Sequence, residues 1–163
     1  MNNKKNLIWV VIILIILVVG AYFLFFQKND EFVVRDKDSF TSQQDVLDYF
    51  EQYKQAQSKD TYGGKTPEET LSLFVDALKK GDTKLASKYF ILDKQEEMAK
   101  ELSVGKQNDV LKLLIGDLEK EKKGIQMSEN QYRFRTYDKD GAAEFSFDLI
   151  LNESTNIWKI ESL

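Results

Sequence analysis

The sequence predicts an α+β protein in which a single N-terminal transmembrane helix is followed by helices packed on an antiparallel sheet. Three observations carry this expectation. One uncharged run near the start is as long as a bilayer is thick. The middle of the chain repeats apolar residues at the three-and-four spacing of amphipathic helices. The last third switches to alternation at every second position, rich in aromatic and branched residues, which is the period of strands.

The uncharged run is "LIWVVIILIILVVGAYFLFF", twenty residues from Leu7 to Phe26. As a helix it reaches about 30 Å, the thickness of a bilayer's hydrocarbon core. It is longer than the apolar region of a cleaved signal, and no small-residue cleavage signature follows it. Trp9 and Tyr22 lie near its ends, where rings with one polar edge favour the membrane interface. A helix apolar all round would otherwise need a large protein around it. The lipid bilayer is therefore an expected partner through Leu7 to Phe26. Residues 1–6, with Lys4 and Lys5, read as a short cytoplasmic tail. Lys and Arg counts on the two sides do not decide the orientation, but a short basic tail is the form of an uncleaved signal anchor. Residues 27–163 are accordingly expected outside the cytoplasm, on a single-pass cell-membrane protein.

Residues 27–65 read as a charged linker containing an amphipathic helix at about 42–57. Ser42 followed by Asp45 is a capping signal, and Val46, Leu47, Phe50 and Tyr53 follow at helical spacing. That stripe either packs on the following domain or forms a stalk that meets a partner. Gly63-Gly64 reads as a flexible joint.

The main domain is expected over 66–163. Thr66 as N-cap, Pro67 at the first helical position and Glu69 three residues on form a capping box. Leu71, Phe74, Val75 and Leu78 then make one buried stripe. Gly81 ends this helix, Asp82 caps the next, and the second helix buries Leu85, Ala86 and Tyr89. "DKQEEMAKELS" reads as a surface helix. "NDVLKLLIGDLEKEKKG" reads as a stronger one, with a stripe of Val110, Leu111, Leu114 and Leu118, cationic residues at its end, and Gly124 as terminator. Three strands follow, "QYRFRTY", "AAEFSFDLIL" and "NIWKIES". The turn Asp138-Lys139-Asp140-Gly141 allows two registers, one pairing Arg135 with Glu144 and the other Arg133 with Asp148. Either register gathers Arg133, Arg135, Glu144 and Asp148 on a wet face. Either also puts Tyr132 and Phe134 beside Phe145, Phe147 and Leu149 on an inner one.

Composition narrows the chemistry. Removing Lys4 and Lys5 from the 23 basic residues leaves 21 against 27 acidic ones beyond the apolar run, six net negative charges. That balance repels phosphate backbones, so no nucleic-acid partner is expected. The chain has no cysteine and no histidine. Disulfides, thiolate metal sites and triads built on an imidazole are thereby excluded. "DKDG" lacks the spacing of a calcium loop, since Thr136 and Phe147 stand where acids are required. No catalytic, cofactor-binding or metal-binding residue is assigned. The inward aromatics Phe74, Tyr89, Tyr132, Phe134, Phe145, Phe147 and Trp158 either line a small-molecule pocket or fill the core.

Helices followed by an alternating meander that closes on a Trp-containing strand give the chain a likeness to a known superfamily. "TPEETLSLFVDALKKGDTKLASKYF", the turn "DKDG" and the closing "IWKIESL" resemble the nuclear transport factor 2-like (cystatin-like cone) superfamily, over Thr66 to Leu163. The likeness is strongest to uncharacterised bacterial members that are membrane-anchored or lipoproteins. It implies a curved, cone-like sheet wrapped around helices, with a pocket that is an active site in some relatives and filled core in others. The carboxylate-and-tyrosine set of the steroid-isomerase branch has no match here, because Glu144 and Asp148 fall on the wet face. The chain also departs from the usual pattern in having helix between 93 and 122, where relatives often place an early strand. The function expected is a membrane-anchored extracytoplasmic binding or scaffolding module without catalysis, engaging an envelope protein partner. The alternative is a small-molecule binder or isomerase-like enzyme using the cone pocket.

Overall fold

A computed structural model describes residues 32–35 and 37–163, and the expected span Leu7 to Phe26 lies outside the described residues. Among the described residues no helix is long and apolar enough to cross a membrane. After a 3-10 turn at Lys37–Ser39 come five α-helices, α1 (Gln43–Lys59), α2 (Pro67–Lys79), α3 (Thr83–Ser87), α4 (Leu92–Gln107) and α5 (Val110–Glu119). Four strands follow, β1 (Lys123–Ser128), β2 (Gln131–Tyr137), β3 (Ala143–Asn152) and β4 (Ile157–Ser162), in one antiparallel meander of order β1-β2-β3-β4. The α+β class is as the periodicities predict.

The caps form where the side chains dictate. Ser42 Oγ accepts from Asp45 N at 3.2 Å, Thr66 Oγ1 from Glu69 N at 3.1 Å, and Asp82 Oδ1 from Leu85 N at 2.9 Å. Each satisfies a backbone donor that the first helical turn leaves without a partner. The Glu69 carboxylate reaches back one residue further than a standard box, accepting from Lys65 N at 2.7 Å. The α2 stripe is buried as expected, with Phe74 wholly enclosed and edge-on to Phe90 at 5.4 Å.

In the sheet, Arg133 pairs with Asp148 and Phe134 with Phe147, so the second of the two predicted registers is adopted. A bulge between Thr136 and Tyr137 absorbs the mismatch at the turn. There Asp138 Oδ1 accepts from Asp140 N at 2.9 Å and Ala142 N at 2.8 Å. On the outer face Arg133 grips Asp148 with two bonds of 2.5 and 2.7 Å, and Glu144 takes Lys120 at 2.9 Å. On the inner face Phe134, Phe147, Leu149, Trp158 and Ile160 join Phe74, Leu78, Phe90 and Leu118 in one apolar cluster. Burying a side chain of this size contributes about 1.5–3 kcal/mol.

Four expectations need correction. Gly124 does not end a helix but lies in β1 opposite Phe134, a fourth strand that "KGIQMS" conceals because it is polar, glycine-bearing and exposed along nearly its whole length. Strand β4 does not alternate between buried and exposed: Ile157, Trp158, Lys159 and Ile160 are all buried. The Gly63-Gly64 pair is no flexible joint. Gly64 O accepts from Trp158 N at 2.9 Å, and a side chain on Gly63, whose φ is +140°, would strike the Trp158 carbonyl. Finally, the boundary at Thr66 is set too late, because Asp60 to Gly64 is fastened to β4.

The fastening centres on Lys159. Its ammonium donates to Asp60 Oδ2 at 2.8 Å, to Tyr62 O at 2.8 Å and to Lys88 O at 2.6 Å. Asp60 also accepts from Tyr62 N at 3.1 Å and from Gln95 Nε2 at 3.0 Å. Burial pushes the Lys159 ammonium below its ordinary range against the pull of Asp60. Helix α1 is fastened to the domain through its second half. There Asn152 Nδ2 donates to Gln57 O at 2.9 Å, and the half-buried Tyr53 hydroxyl interacts with Asp93, its pKa pushed up to about 12 by burial first and that carboxylate second.

Replacing Lys159 with Met leaves the Asp60 charge buried without its counter-ion. Urea denaturation should register a loss of about 3–5 kcal/mol, part of which the additional Asp60→Asn change restores. A second expectation concerns acid. Arg133 holds the Asp148 carboxyl below the usual range, so its stabilisation is complete above the unfolded carboxylate pKa and disappears as pH falls through the lower, folded one. Asp148→Asn should therefore flatten the acid limb of a stability-versus-pH curve and leave the curve parallel to wild type above about pH 5.

Candidate functional site

A cleft of about 550 Å³ opens between α2, the end of α5 and the β1–β2 edge of the sheet. Its apolar wall comes from Leu71, Val75, Leu118 and Phe134. Helix α2 supplies the opposite rim because Glu68, Ser72, Asp76 and Lys79 recur at i, i+4, i+8 and i+11, a polar ridge beside the buried stripe. A volume of this size is typical of small-molecule sites.

Polar groups close the two ends of the cleft. At one end the Tyr132 hydroxyl donates to Glu68 Oε1 at 3.0 Å. Burial, together with that carboxylate, raises the pKa of the phenol. Tyr132 lies across Gly124, where any side chain would land on the hydroxyl. At the other end Lys79 is ion-paired with Glu119, both half-exposed. Lys122, just beyond α5, reaches the cleft half-buried, and among the described residues no hydrogen bond or ion pair engages its ammonium. Burial lowers its pKa, opposed by the field of Glu119.

The seven aromatics expected to line a pocket divide. Tyr132 and Phe134 border the cleft. Phe74, Phe147, Tyr89 and Trp158 are core, at 0, 1, 6 and 8% exposure. Phe145 is partly buried and packs on Phe147 with centroids 5.8 Å apart. Among the described residues the aromatic layer packs on its own rings, and this cleft lies at its margin. Sequence reasoning missed Glu68, Lys79, Glu119 and Lys122. The ridge on α2 was a legible signal for the first two. Lys122 sits in "EKEKKG", a stretch whose composition marks solvated surface. Among the described residues no three carboxylates converge as a metal site would require.

The fold and the cleft together define an α+β domain with a groove where the helical layer parts from the sheet. Compared with protein-family models, curated proteins and solved structures, the chain matches none.

Two glycines distinguish close packing from open space. Gly124→Ala should displace Tyr132 and cost about 1–3 kcal/mol. Gly116→Ala, on α5 with no atom within 4 Å of the added carbon, should stabilise by up to about 1 kcal/mol. Thermal denaturation of the two variants should shift in opposite directions.

Proposed function

We propose that this protein is a membrane-anchored, extracytoplasmic binding or scaffolding module that works without catalysis and docks an envelope protein. The observation that carries the reading is the state of α1. It buries none of its residues, and Leu47 and Phe50 stand 58% and 55% exposed at the membrane-proximal end of the domain sequence. Apolar side chains grouped on one helix are a usual mark of a contact surface. The uncharged run Leu7 to Phe26 supports the anchor. The order of helices before a meander supports a cone-like fold of the nuclear transport factor 2-like kind, and the three bulged ladders, each a source of bending, support its curvature. Nucleic acid is a poor partner for so acidic a chain.

A second reading, a small-molecule site, is favoured by the cleft between α2, α5 and β2. Of the aromatics expected to line a cone pocket, Tyr132 and Phe134 border this cleft.

The docking reading is tested with a photo-crosslinking amino acid placed at Leu47 or Phe50 of the full chain in native membranes. A discrete adduct that is absent when the probe sits at exposed Ser154 is the expected result. Recovery of the chain in the soluble fraction, or no adduct at either helix position, would remove the proposal.

A further inference from the structure

The cleft carries five charged side chains, and they are not equally provided for. Glu119 has Lys79, and Glu68 has the Tyr132 hydroxyl. Asp76 is exposed, so water solvates it. Lys122 differs from all four: it is half-buried, and no described side chain or carbonyl accepts from its ammonium. A partly desolvated charge without a hydrogen-bonded partner is the group that gains most from an incoming counter-charge, because the cost of removing its water has already been met by folding. Beside it stand Leu71, Val75, Leu118 and Phe134, which offer an apolar bed.

From this arrangement we propose that the cleft is a binding site for an amphipathic monocarboxylate. Its carboxylate pairs with Lys122, and its apolar body lies along Leu71, Val75, Leu118 and Phe134. The three acids of the same cleft, Glu68, Asp76 and Glu119, set the limit to one negative charge. A dianion such as a phosphate monoester gains one cation and meets three carboxylates. A neutral amide keeps the apolar contact and loses the ion pair. This assignment rests on the small-molecule reading of the cleft and adds the ligand class and the residue that selects it. It is independent of whatever docks on α1.

The test uses the full chain in phosphatidylcholine nanodiscs, with titration calorimetry at neutral pH and empty discs as the blank. The probes are 2-naphthoate, 2-naphthamide and 2-naphthyl phosphate. Naphthoate is expected to bind saturably, with the amide and the phosphate ester each at least about tenfold weaker, the scale of one charge-assisted bond. Lys122→Met should reduce naphthoate to the affinity of the amide, and Lys122→Arg should restore it to within a few-fold. Ser72→Trp, at the exposed rim, should abolish binding of all three while leaving the circular dichroism spectrum unchanged. Equal affinity for naphthoate and naphthamide, or naphthoate binding indifferent to Lys122→Met, overturns the carboxylate assignment and leaves the cleft as a binding site. No saturable binding of any probe up to about 10 mM, weaker than any useful site, overturns both.

Discussion

At the Lys159 ammonium three distant parts of the chain meet. An ammonium has three protons to donate, and here they go to the Asp60 carboxylate, the Tyr62 carbonyl and the Lys88 carbonyl. The carboxylate in turn accepts from Gln95 and from the Tyr62 amide. A buried ion pair is costly unless its remaining hydrogen-bonding capacity is met, and in this network it is met. The route of the backbone between α1 and α2 follows from it, as does the placement of the α3–α4 connection.

What that network holds in place is the closure of β4. As the last strand of the sheet, β4 would present a row of unpaired backbone groups. Instead Trp158 N is taken by Gly64 O, Trp158 O by Thr70 Oγ1, and Ile160 exchanges bonds with Tyr89 O and Ile91 N. Gly63 and Gly64 are required there because backbone approaches backbone too closely for a side chain. Among the described residues the opposite edge, β1, is exposed along nearly all its length. The domain is therefore tight at one side and open at the other. The cleft lies on the open side, where Gly124 leaves room for Tyr132 and where α5 gives way to Lys122.

This asymmetry bears on function. Among the described residues, the inner face of the sheet packs Phe134 and Phe147 against Phe74 and Leu118 in one apolar cluster. The proposed recognition surfaces are both marginal: the cleft beside β1, and the first half of α1 with its exposed Leu47 and Phe50. The two differ in chemistry. The cleft combines an apolar bed with one under-provided cation, which suits a small anion. Helix α1 offers ring and aliphatic surface among acids, which suits a protein face.

Much of the fold was legible because local chemistry specifies it. The caps at Thr66 and Asp82, the α2 stripe and the shared face of Arg133 and Asp148 each depend on residues close in sequence or on a period that only one element satisfies, while the choice between the two hairpin registers came from the structure. The seven aromatics are buried or half-buried, and of them Tyr132 and Phe134 border the cleft, since periodicity reports which face is buried and not what lies opposite. Strand β1 escaped notice because its partner β2 supplies the packing that its own side chains lack. Lys159 and Gly63-Gly64 escaped because their meaning is held by residues nearly a hundred positions away. The sequence by itself thus determined most of the elements, the wet and dry faces of the β2–β3 hairpin and the chemistries that are out of reach. Only the tertiary structure decided that a lysine is buried, that a glycine pair is a clasp and that a cleft opens beside β1, because those outcomes depend on close approach between distant segments, which no local pattern encodes.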